Sequence, residues 1–194
     1  MRRDGWARQR EAAAGNSEAL LQAARELIAE DGVAVLDVRQ VARRAGVGVG
    51  TVYRRFDNKA GLLAALLDDV ERALQDALLS GPPPLGPGAP PLERLCAFLD
   101  ALVELTEEQL ELLLATEAAA PGARLRVGAY GAWRLHVMTL ARELRPDCDA
   151  EWIATLLLAP LDAQLYLHQR RALGREAAQV RAGLRQVAAA LLSP

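Results

Sequence analysis

Apolar residues recur at spacings of three and four along most of this chain, and this period restricts the fold more than any other feature. Leu20, Ala24 and Leu27 follow one another in this way. Such a period predicts amphipathic helices, whereas a half-buried strand alternates every second residue. The one alternating stretch, residues 32–38, has no neighbouring stretch to pair with, and Asp37 within it suits a helix N-cap. The sequence therefore predicts an all-α protein.

The order of the predicted helices divides the chain into a small leading module and a larger body. Helices are predicted over 17–30, 38–45 and 49–56, followed by a long helix that starts at Lys59 with Asn58 as its cap. The segment SGPPPLGPGAPP at 80–91 predicts a semi-rigid connector. Five further helices are predicted at Leu92–Leu105, Glu107–Ala120, Arg124–Arg145, Ala150–Leu173, with a kink at Pro160, and Arg175–Leu192. We therefore expect a flexible basic arm at 1–16, a small helical module at 17–60 and a larger helical domain at 61–194.

Composition excludes several classes of protein. With 52% hydrophobic and 25% charged residues, the chain is too apolar for a disordered protein. No apolar run approaches the roughly 20 residues that cross a bilayer, and no apolar block follows the basic start, so we expect a cytoplasmic protein without a membrane partner. Cys96 and Cys148 lie far apart, which argues against a disulfide framework and a zinc site. No metal, cofactor or catalytic residue is predicted.

Positive charge is concentrated near the beginning of the chain. Residues 1–60 contain 11 basic and 8 acidic residues, and within 38–60 six basic residues face one acidic residue, Asp57. A density of +5 in 23 residues is typical of a surface that binds a polyanion, although a solvated helical face would look the same. The residues between the charges must distinguish these alternatives.

Two short helices joined by a glycine-containing turn are typical of a helix-turn-helix motif. In the second helix, Val52 and Phe56 are expected to point inward. The opposite face would present small and polar residues that fit a DNA groove, namely Val49, Gly50, Thr51, Tyr53 and Arg54. Gly50 weakens a helix by about 1 kcal/mol relative to alanine, and Gly48 is a weak helix start, which suggests close approach of the backbone to DNA.

Lys59 is the only lysine of the chain and lies in the first turn of the fourth helix. The helix dipole disfavours a cation there by some 0.3–1 kcal/mol. A phosphate bound at that turn would reverse the effect, because backbone N–H groups and the ammonium would act on the same anion. A tolerated surface lysine is the alternative.

The stretch that contains AAREL at 23–27 and VRQVARRAGVGVGTVYRRFDNKAGLL at 38–63 closely resembles the DNA-binding signature of the TetR family of transcriptional regulators. The resemblance covers about 17–67 and implies the family's helical fold and dimeric habit. It implies that Arg39 and Thr51 lie near the DNA, that Tyr53 and Lys59 bind phosphates, and that base edges are approached by Val49, Gly50 and Arg54. The family commonly has Ser or Thr where this chain has Asp37 and Gly48, and often a Glu-Glu pair in place of Ala60-Gly61.

Several contacts stay open at this stage. Arg54 could contact a guanine or a phosphate, and Thr51 could contact a thymine methyl group or a phosphate oxygen. The N-terminal arginines, Arg2, Arg3, Arg8 and Arg10, form either a minor-groove tail or an arm without DNA contact.

A single recognition helix reads too few base pairs, so we expect a homodimer. The interface is predicted on the last helices, at Leu156, Ala159, Asp162, Ala163, Val180, Gly183, Leu184, Val187 and Leu191. A pocket for a small-molecule effector is predicted around Trp133, with Tyr130, Val137, Met138, Trp152, Thr155 and Tyr166, although ordinary core packing is an alternative. Asp162 could instead anchor the ligand, while His136 and His168 are too isolated for a metal site.

These patterns favour a sequence-specific, DNA-binding transcriptional regulator, a homodimeric repressor that an effector releases from its operator. Residues 17–60 would then be the helix-turn-helix DNA-binding domain, and 61–194 the effector-binding and dimerisation domain. A helical adaptor that binds only protein would leave the basic cluster and Lys59 unexplained. An enzyme on the same helical body would need a catalytic grouping that the sequence does not show.

Overall fold

The computed structural model describes residues 3–122, 125 and 128–192, with side chains from Ser17 onward. These residues form ten α-helices and no strand, which confirms the all-α class. The helices are α1 (Arg3–Asp31), α2 (Val38–Arg44), α3 (Val49–Phe56), α4 (Lys59–Ser80), α5 (Pro91–Glu108), α6 (Leu110–Ala119), α7 (Gly128–Leu144), α8 (Ala150–Leu158), α9 (Ala163–Arg171) and α10 (Ala177–Leu192). No helix of this described part is long and apolar enough to cross a bilayer.

The first helix starts fourteen residues earlier than the sequence predicted, so the expected start at Ser17 was wrong. The backbone is helical from Arg3, across the segment expected to be a flexible arm. Alanine, glutamate, glutamine and arginine dominate residues 7–14, and these residues have high helix propensity. Arg2 and the side chains of Arg3, Arg8 and Arg10 lie outside the described residues, so their contact with DNA stays a prediction.

The leading module packs around a hydrophobic core built from α1, α2, α3 and the first half of α4, to which Leu112 and Leu113 of α6 and Ala163 of α9 also contribute. It includes Leu20, Ala24, Val41, Val52 and Leu63, all of them at most 1% exposed. The caps follow the sequence: Asp37 Oδ1 accepts from the backbone N–H of Arg39 at 3.1 Å, and Asn58 Oδ1 accepts from that of Gly61 at 3.0 Å. Capping satisfies N–H groups that have no partner inside the helix.

The two cores of the molecule meet along α4. Its residues Leu62–Leu67 belong to the leading core, whereas Leu78 belongs to the core of the body. The body core packs α5, α7, α8 and α10 around Phe98, Leu99 and Leu157, each 0% exposed. Along α4 the change from one core to the other therefore falls between Leu67 and Leu78, while the domain boundary at residue 60 stays a prediction. Gly81–Pro90 is irregular, in agreement with the predicted connector.

The helix predicted over Ala150–Leu173 is two helices. Pro160 does not merely kink it: a 3₁₀ turn at Ala159–Leu161 separates α8 from α9. Proline has no N–H to continue the helix, and Asp162 starts a new one because its Oδ1 accepts from the N–H groups of Gln164 at 3.0 Å and Leu165 at 3.1 Å. This break turns α9 back toward α6 and helps to shape a cavity in the body.

Candidate nucleic-acid interface and candidate ligand pocket

Helices α2 and α3 form the predicted helix-turn-helix. The turn between them requires Gly46, whose φ of +69° lies in the left-handed region that favours glycine. Val52 and Phe56 pack α3 into the leading core, as expected, which leaves the opposite face in solvent. That face carries Gly50, Tyr53 and Arg54, and Tyr53 is 49% exposed.

The fold itself does not require glycine at positions 48 and 50. A Cβ atom at either position would meet nothing within 4 Å, and neither residue has a positive φ. Gly61 differs, because a Cβ there would stand 1.9 Å from the carbonyl oxygen of Phe56. Gly61 is therefore needed for the close approach of α3 and α4. Gly48 and Gly50 instead leave the outer surface of α3 without projecting side chains at these two positions.

The basic cluster consists of one paired and several unpaired arginines. Arg44 is bound to α1: its Nη2 lies 2.7 Å from Glu30 Oε2 and its Nη1 lies 3.4 Å from Glu26 Oε2. The hydrogen bond from Arg44 lowers the pKa of Glu30. Part of the charge of Arg44 is therefore balanced by α1, and its contribution to a polyanion-binding surface stays a prediction. The exposed residues Arg39, Arg43, Arg54 and Arg55 form no ion pair with the described part of the chain.

The predicted DNA-binding residues lie at the N-cap or within α3, on α2, or in the first turn of α4. Arg54 Nη2 donates to Thr51 Oγ1 at 3.3 Å, so these two side chains act together on the exposed face. Lys59 Nζ donates to the carbonyl oxygen of Ala34 at 3.4 Å, beyond an ideal hydrogen-bond length. Its ammonium group therefore keeps donors for another acceptor.

A cavity of about 400 Å³ lies in the body. Of the predicted ligand residues, Tyr130 and Trp133 line it. Its other walls come from α5, α6, the 3₁₀ turn, α9 and Leu125: Leu102, Thr106, Leu113, Glu117, Leu125, Leu158, Ala159, Leu161, Asp162, Ala163 and Leu165.

The other predicted ligand residues do not line the cavity. Val137 is 0% exposed in the body core, Met138 packs against that core, and Trp152 is 59% exposed on the outside of α8. Thr155 Oγ1 accepts from Arg134 Nη1 at 3.0 Å, which joins α7 to α8. Sequence spacing identifies residues that share a helix but not the side of a helix that faces the cavity.

Tyr166 is packed in the body core and does not line the cavity. It is 0% exposed, and its hydroxyl donates to Glu107 Oε2 at 2.6 Å. Arg170 Nη2 donates to Glu107 Oε1 at 2.9 Å. The hydrogen bond from Arg170, followed by that from Tyr166, lowers the pKa of Glu107, while burial raises the pKa of Tyr166. These bonds hold α9 against the end of α5.

Sequence reasoning missed the α5 and α6 walls. Leu102 and Thr106 are spaced i, i+4 on α5, and Leu113 and Glu117 are spaced i, i+4 on α6. Each pair has one polar residue inside an apolar stripe, a signal that could have identified the cavity.

The predicted dimer interface divides into outward and inward residues. Leu156 and Val187 are 40% and 45% exposed, and Ala159 is also exposed. Val180 and Leu184 are buried in the body core, where a second copy cannot reach them, so assigning them to the interface was wrong. Ala163 is buried as well, and Asp162 caps α9 beside the cavity. Trp152, exposed on α8 one turn before Leu156, extends the outward apolar face.

The described residues contain no group of three or more potential metal ligands. Burial, assisted by the positive charge of Arg94, lowers the pKa of His136 to about 4, so this imidazole is neutral at physiological pH. Its ring meets Phe98 edge to face with centroids 4.9 Å apart. His136 therefore acts as a core residue.

A helix-turn-helix module with a cationic outer face, carried on a helical body that contains a cavity, defines the architecture of a helix-turn-helix DNA-binding protein. Residues 20–66 match the model of the bacterial regulatory proteins of the tetR family. The leading module is thus of the TetR type, and the comparisons point to transcriptional regulators, which are not enzymes.

Relatives and solved structures extend the likeness beyond that motif. The HTH-type transcriptional regulator BetI of Escherichia coli O17:K52:H18 is 36% identical over 88 residues, which are 45% of each chain. The match thus spans less than half the length of that curated relative. A transcriptional regulator from Rhodococcus sp. Rha1 superposes with a TM-score of 0.66 at 25% identity, covering 91% of this chain and 95% of the other. Thermus thermophilus FadR, solved with lauroyl-CoA, has a TM-score of 0.64 at 19% identity, covering 92% and 95%, and shares the fold.

Proposed function

We propose that this protein is a homodimeric repressor that binds operator DNA through α3 and is released when a small molecule occupies the cavity of the body. The observation that carries the proposal is the outer face of α3, where two glycines that the fold does not need lie among exposed arginines that form no ion pair with any described residue. A positively charged helix face with small side chains fits into the major groove of DNA. Such a protein acts on the chromosome and therefore in the cytoplasm.

In this proposal some contacts position the protein on the DNA backbone and others read the base sequence. The Tyr53 hydroxyl and the Lys59 ammonium bind phosphates, because both stand at the edges of the exposed face and Lys59 adds its charge to the N–H groups that begin α4. Arg39 lies at the start of α2 and adds a further phosphate contact. Arg54 gives up its hydrogen bond to Thr51 and contacts a guanine edge or a phosphate instead.

A direct route connects the cavity to the DNA-binding module. Leu113 of α6 and Ala163 of α9 line the cavity, and both also belong to the hydrophobic core that holds α1, α2 and α3. A ligand that displaces these two residues must also displace the leading core, because close-packed interiors have little free space. Release then requires only a difference in ligand affinity between the two arrangements, about 1–3 kcal/mol.

The experiment is fluorescence anisotropy of the full chain on a labelled duplex taken from the DNA that flanks its gene. We expect affinity to fall steeply from about 50 to 200 mM salt, and Lys59→Ala to weaken binding on all sequences and to reduce the salt slope by about one. Tyr53→Phe removes one hydroxyl and should weaken binding severalfold at unchanged stability.

Arg72→Ala is the matched control. Arg72 is exposed on α4 and pairs with Asp69 at 3.2 Å, away from α3, so its loss removes one positive charge without touching the proposed surface. Equal losses for Lys59→Ala and Arg72→Ala would show a nonspecific charge effect. Unchanged binding by Tyr53→Phe and Lys59→Ala together would exclude the assigned contacts.

A further inference from the structure

The cavity of the body has an open side and a closed inner end. Leu125 and Leu165 line the cavity and are 64% and 44% exposed, so the cavity opens to solvent beside them. Leu102, Thr106 and Leu158 also line it and are all buried. A volume of about 400 Å³ is in the range of pockets that bind small molecules. A ligand that fills the cavity therefore reaches the inner end, where Thr106 lies.

Thr106 has the only hydroxyl group among the buried lining residues that the structure describes. The residue is 0% exposed, and its Oγ1 atom has no hydrogen-bond partner in the described part of the chain. A buried hydroxyl group without a partner costs free energy, and folded proteins contain few of them. This hydroxyl group can therefore gain a bond when a molecule occupies the cavity.

Three other helical threonines show which kind of partner Thr106 lacks. Thr116, Thr139 and Thr155 each donate to the carbonyl oxygen four residues earlier, at 2.7, 2.9 and 2.9 Å. Thr106 makes no such bond to the carbonyl oxygen of Leu102. A threonine hydroxyl group has one hydrogen to donate, and in Thr106 that hydrogen is unused. The missing partner is therefore an acceptor.

The neighbouring side chains of the inner end do not supply that acceptor. Leu102, Leu113 and Leu158 are aliphatic and buried. An acceptor atom of a ligand would meet the Thr106 hydroxyl group in apolar surroundings, where a hydrogen bond is stronger than in water. This requirement concerns one atom of the ligand at the inner end, so it does not depend on the net charge of the ligand.

We propose that Thr106 determines ligand specificity by donating a hydrogen bond to an acceptor oxygen of the effector. The ligand class is an apolar molecule that carries this oxygen, such as a carbonyl oxygen, at the end that enters the cavity first. The inference deepens the proposed function and rests on it only in taking the cavity as the effector site.

The test uses probes that differ only in the acceptor atom. Methyl naphthyl ketone is paired with isopropenylnaphthalene, and methyl octyl ketone with the alkene in which a methylene group replaces the oxygen. Each pair has nearly the same shape. Equilibrium dialysis of the full chain measures the four affinities. Thr106→Val should weaken the binding of both ketones about tenfold and leave that of both alkenes unchanged within about twofold.

Two further variants separate the hydroxyl group from the packing of the side chain. Thr106→Ser keeps the hydroxyl group, so the ratio of ketone to alkene affinity should stay close to that of the wild type. Thr116→Val is the matched control: it removes a buried hydroxyl group whose bond is satisfied inside α6, from a residue that does not line the cavity. The ratio should not change in this variant.

An unchanged ratio in Thr106→Val, an equal change in Thr116→Val, or no binding of either ketone to the wild type would overturn the proposal. DNA binding is measured separately by anisotropy. Ketone binding that depends on Thr106 but does not release DNA would contradict the effector step of the proposed function and leave the Thr106 contact standing. Release of DNA by a ketone equally well in wild type and Thr106→Val would support the effector step and contradict the Thr106 contact.

Discussion

At the scale of single residues, hydroxyl groups in similar sequence surroundings have different roles. Thr106 and Thr116 both lie inside apolar helical stretches and both are buried. Thr116 donates its hydroxyl to the carbonyl oxygen of Leu112, whereas the Thr106 hydroxyl, beside the cavity, has no hydrogen-bond partner among the described residues. A buried threonine stabilises the protein only when its hydroxyl has a partner.

Replacing each threonine by valine, which has nearly the same shape, separates these roles. Thr106→Val should raise the free energy of unfolding by about 1 kcal/mol, because it removes a buried polar group that has no bond. Thr116→Val should lower it by about 0.5–1 kcal/mol, because it removes a bond of 2.7 Å. Urea unfolding at fixed protein concentration measures both. Loss of stability in Thr106→Val similar to that in Thr116→Val would assign Thr106 a structural role.

At the scale of helices, α3 combines weak local stability with a surface that the fold does not use. Its eight residues are too few to form a stable helix alone, so packing of Val52 and Phe56 holds it. Gly50 reduces its stability further without relieving any clash. Stability and DNA binding should therefore respond to substitution at Gly50 in opposite directions.

Gly50→Ala should stabilise the protein by about 0.5–1 kcal/mol, because alanine is the better helix former and its methyl group has space. The same methyl group stands where a groove approaches, so operator affinity should fall about tenfold. Thermal unfolding and DNA anisotropy on one preparation measure both effects. An unchanged affinity would show that DNA does not approach the backbone at Gly50.

Gly61→Ala is the matched substitution at a glycine that the fold requires. Its Cβ would collide with the Phe56 carbonyl oxygen, so the free energy of unfolding should fall by about 1–3 kcal/mol. A stabilising Gly61→Ala would contradict the close packing of α3 against α4.

At the scale of the whole molecule, the proposed function requires two copies. One α3 would read only a few base pairs, whereas two copies set about one DNA turn apart, roughly 34 Å, would read two half-sites. The outward residues of α8 and α10, namely Trp152, Leu156 and Val187, are exposed and apolar. Helices α8 and α10 contact each other, and we propose that these exposed residues form the interface between the two copies.

Leu156→Asp should convert the dimer into a monomer, because an uncompensated charge in a buried interface costs several kcal/mol. Sedimentation equilibrium measures the mass, and operator affinity should fall by about 10²-fold, since the second half-site no longer binds in the same event. Leu79→Asp is the control: Leu79 is 70% exposed on α4, outside the proposed face. A dimer that persists in Leu156→Asp would place the interface elsewhere.

The sequence by itself determined the features that depend on near neighbours along the chain. Helical period identified the helices, Asp37 and Asn58 were recognisable caps, and the turn at Gly46 with the inward Val52 and Phe56 located the exposed face of α3. Each of these follows from interactions within a few residues.

Only the tertiary structure decided which side of each helix faces the cavity, the core or the solvent. It moved Val180 and Leu184 into the core, exposed Trp152, paired Arg44 with Glu30, and brought Thr106 of α5 together with Glu117 of α6. The reason is physical: a helix of Leu and Ala has apolar residues on more than one side, and only the packing of its neighbours selects the side that is buried.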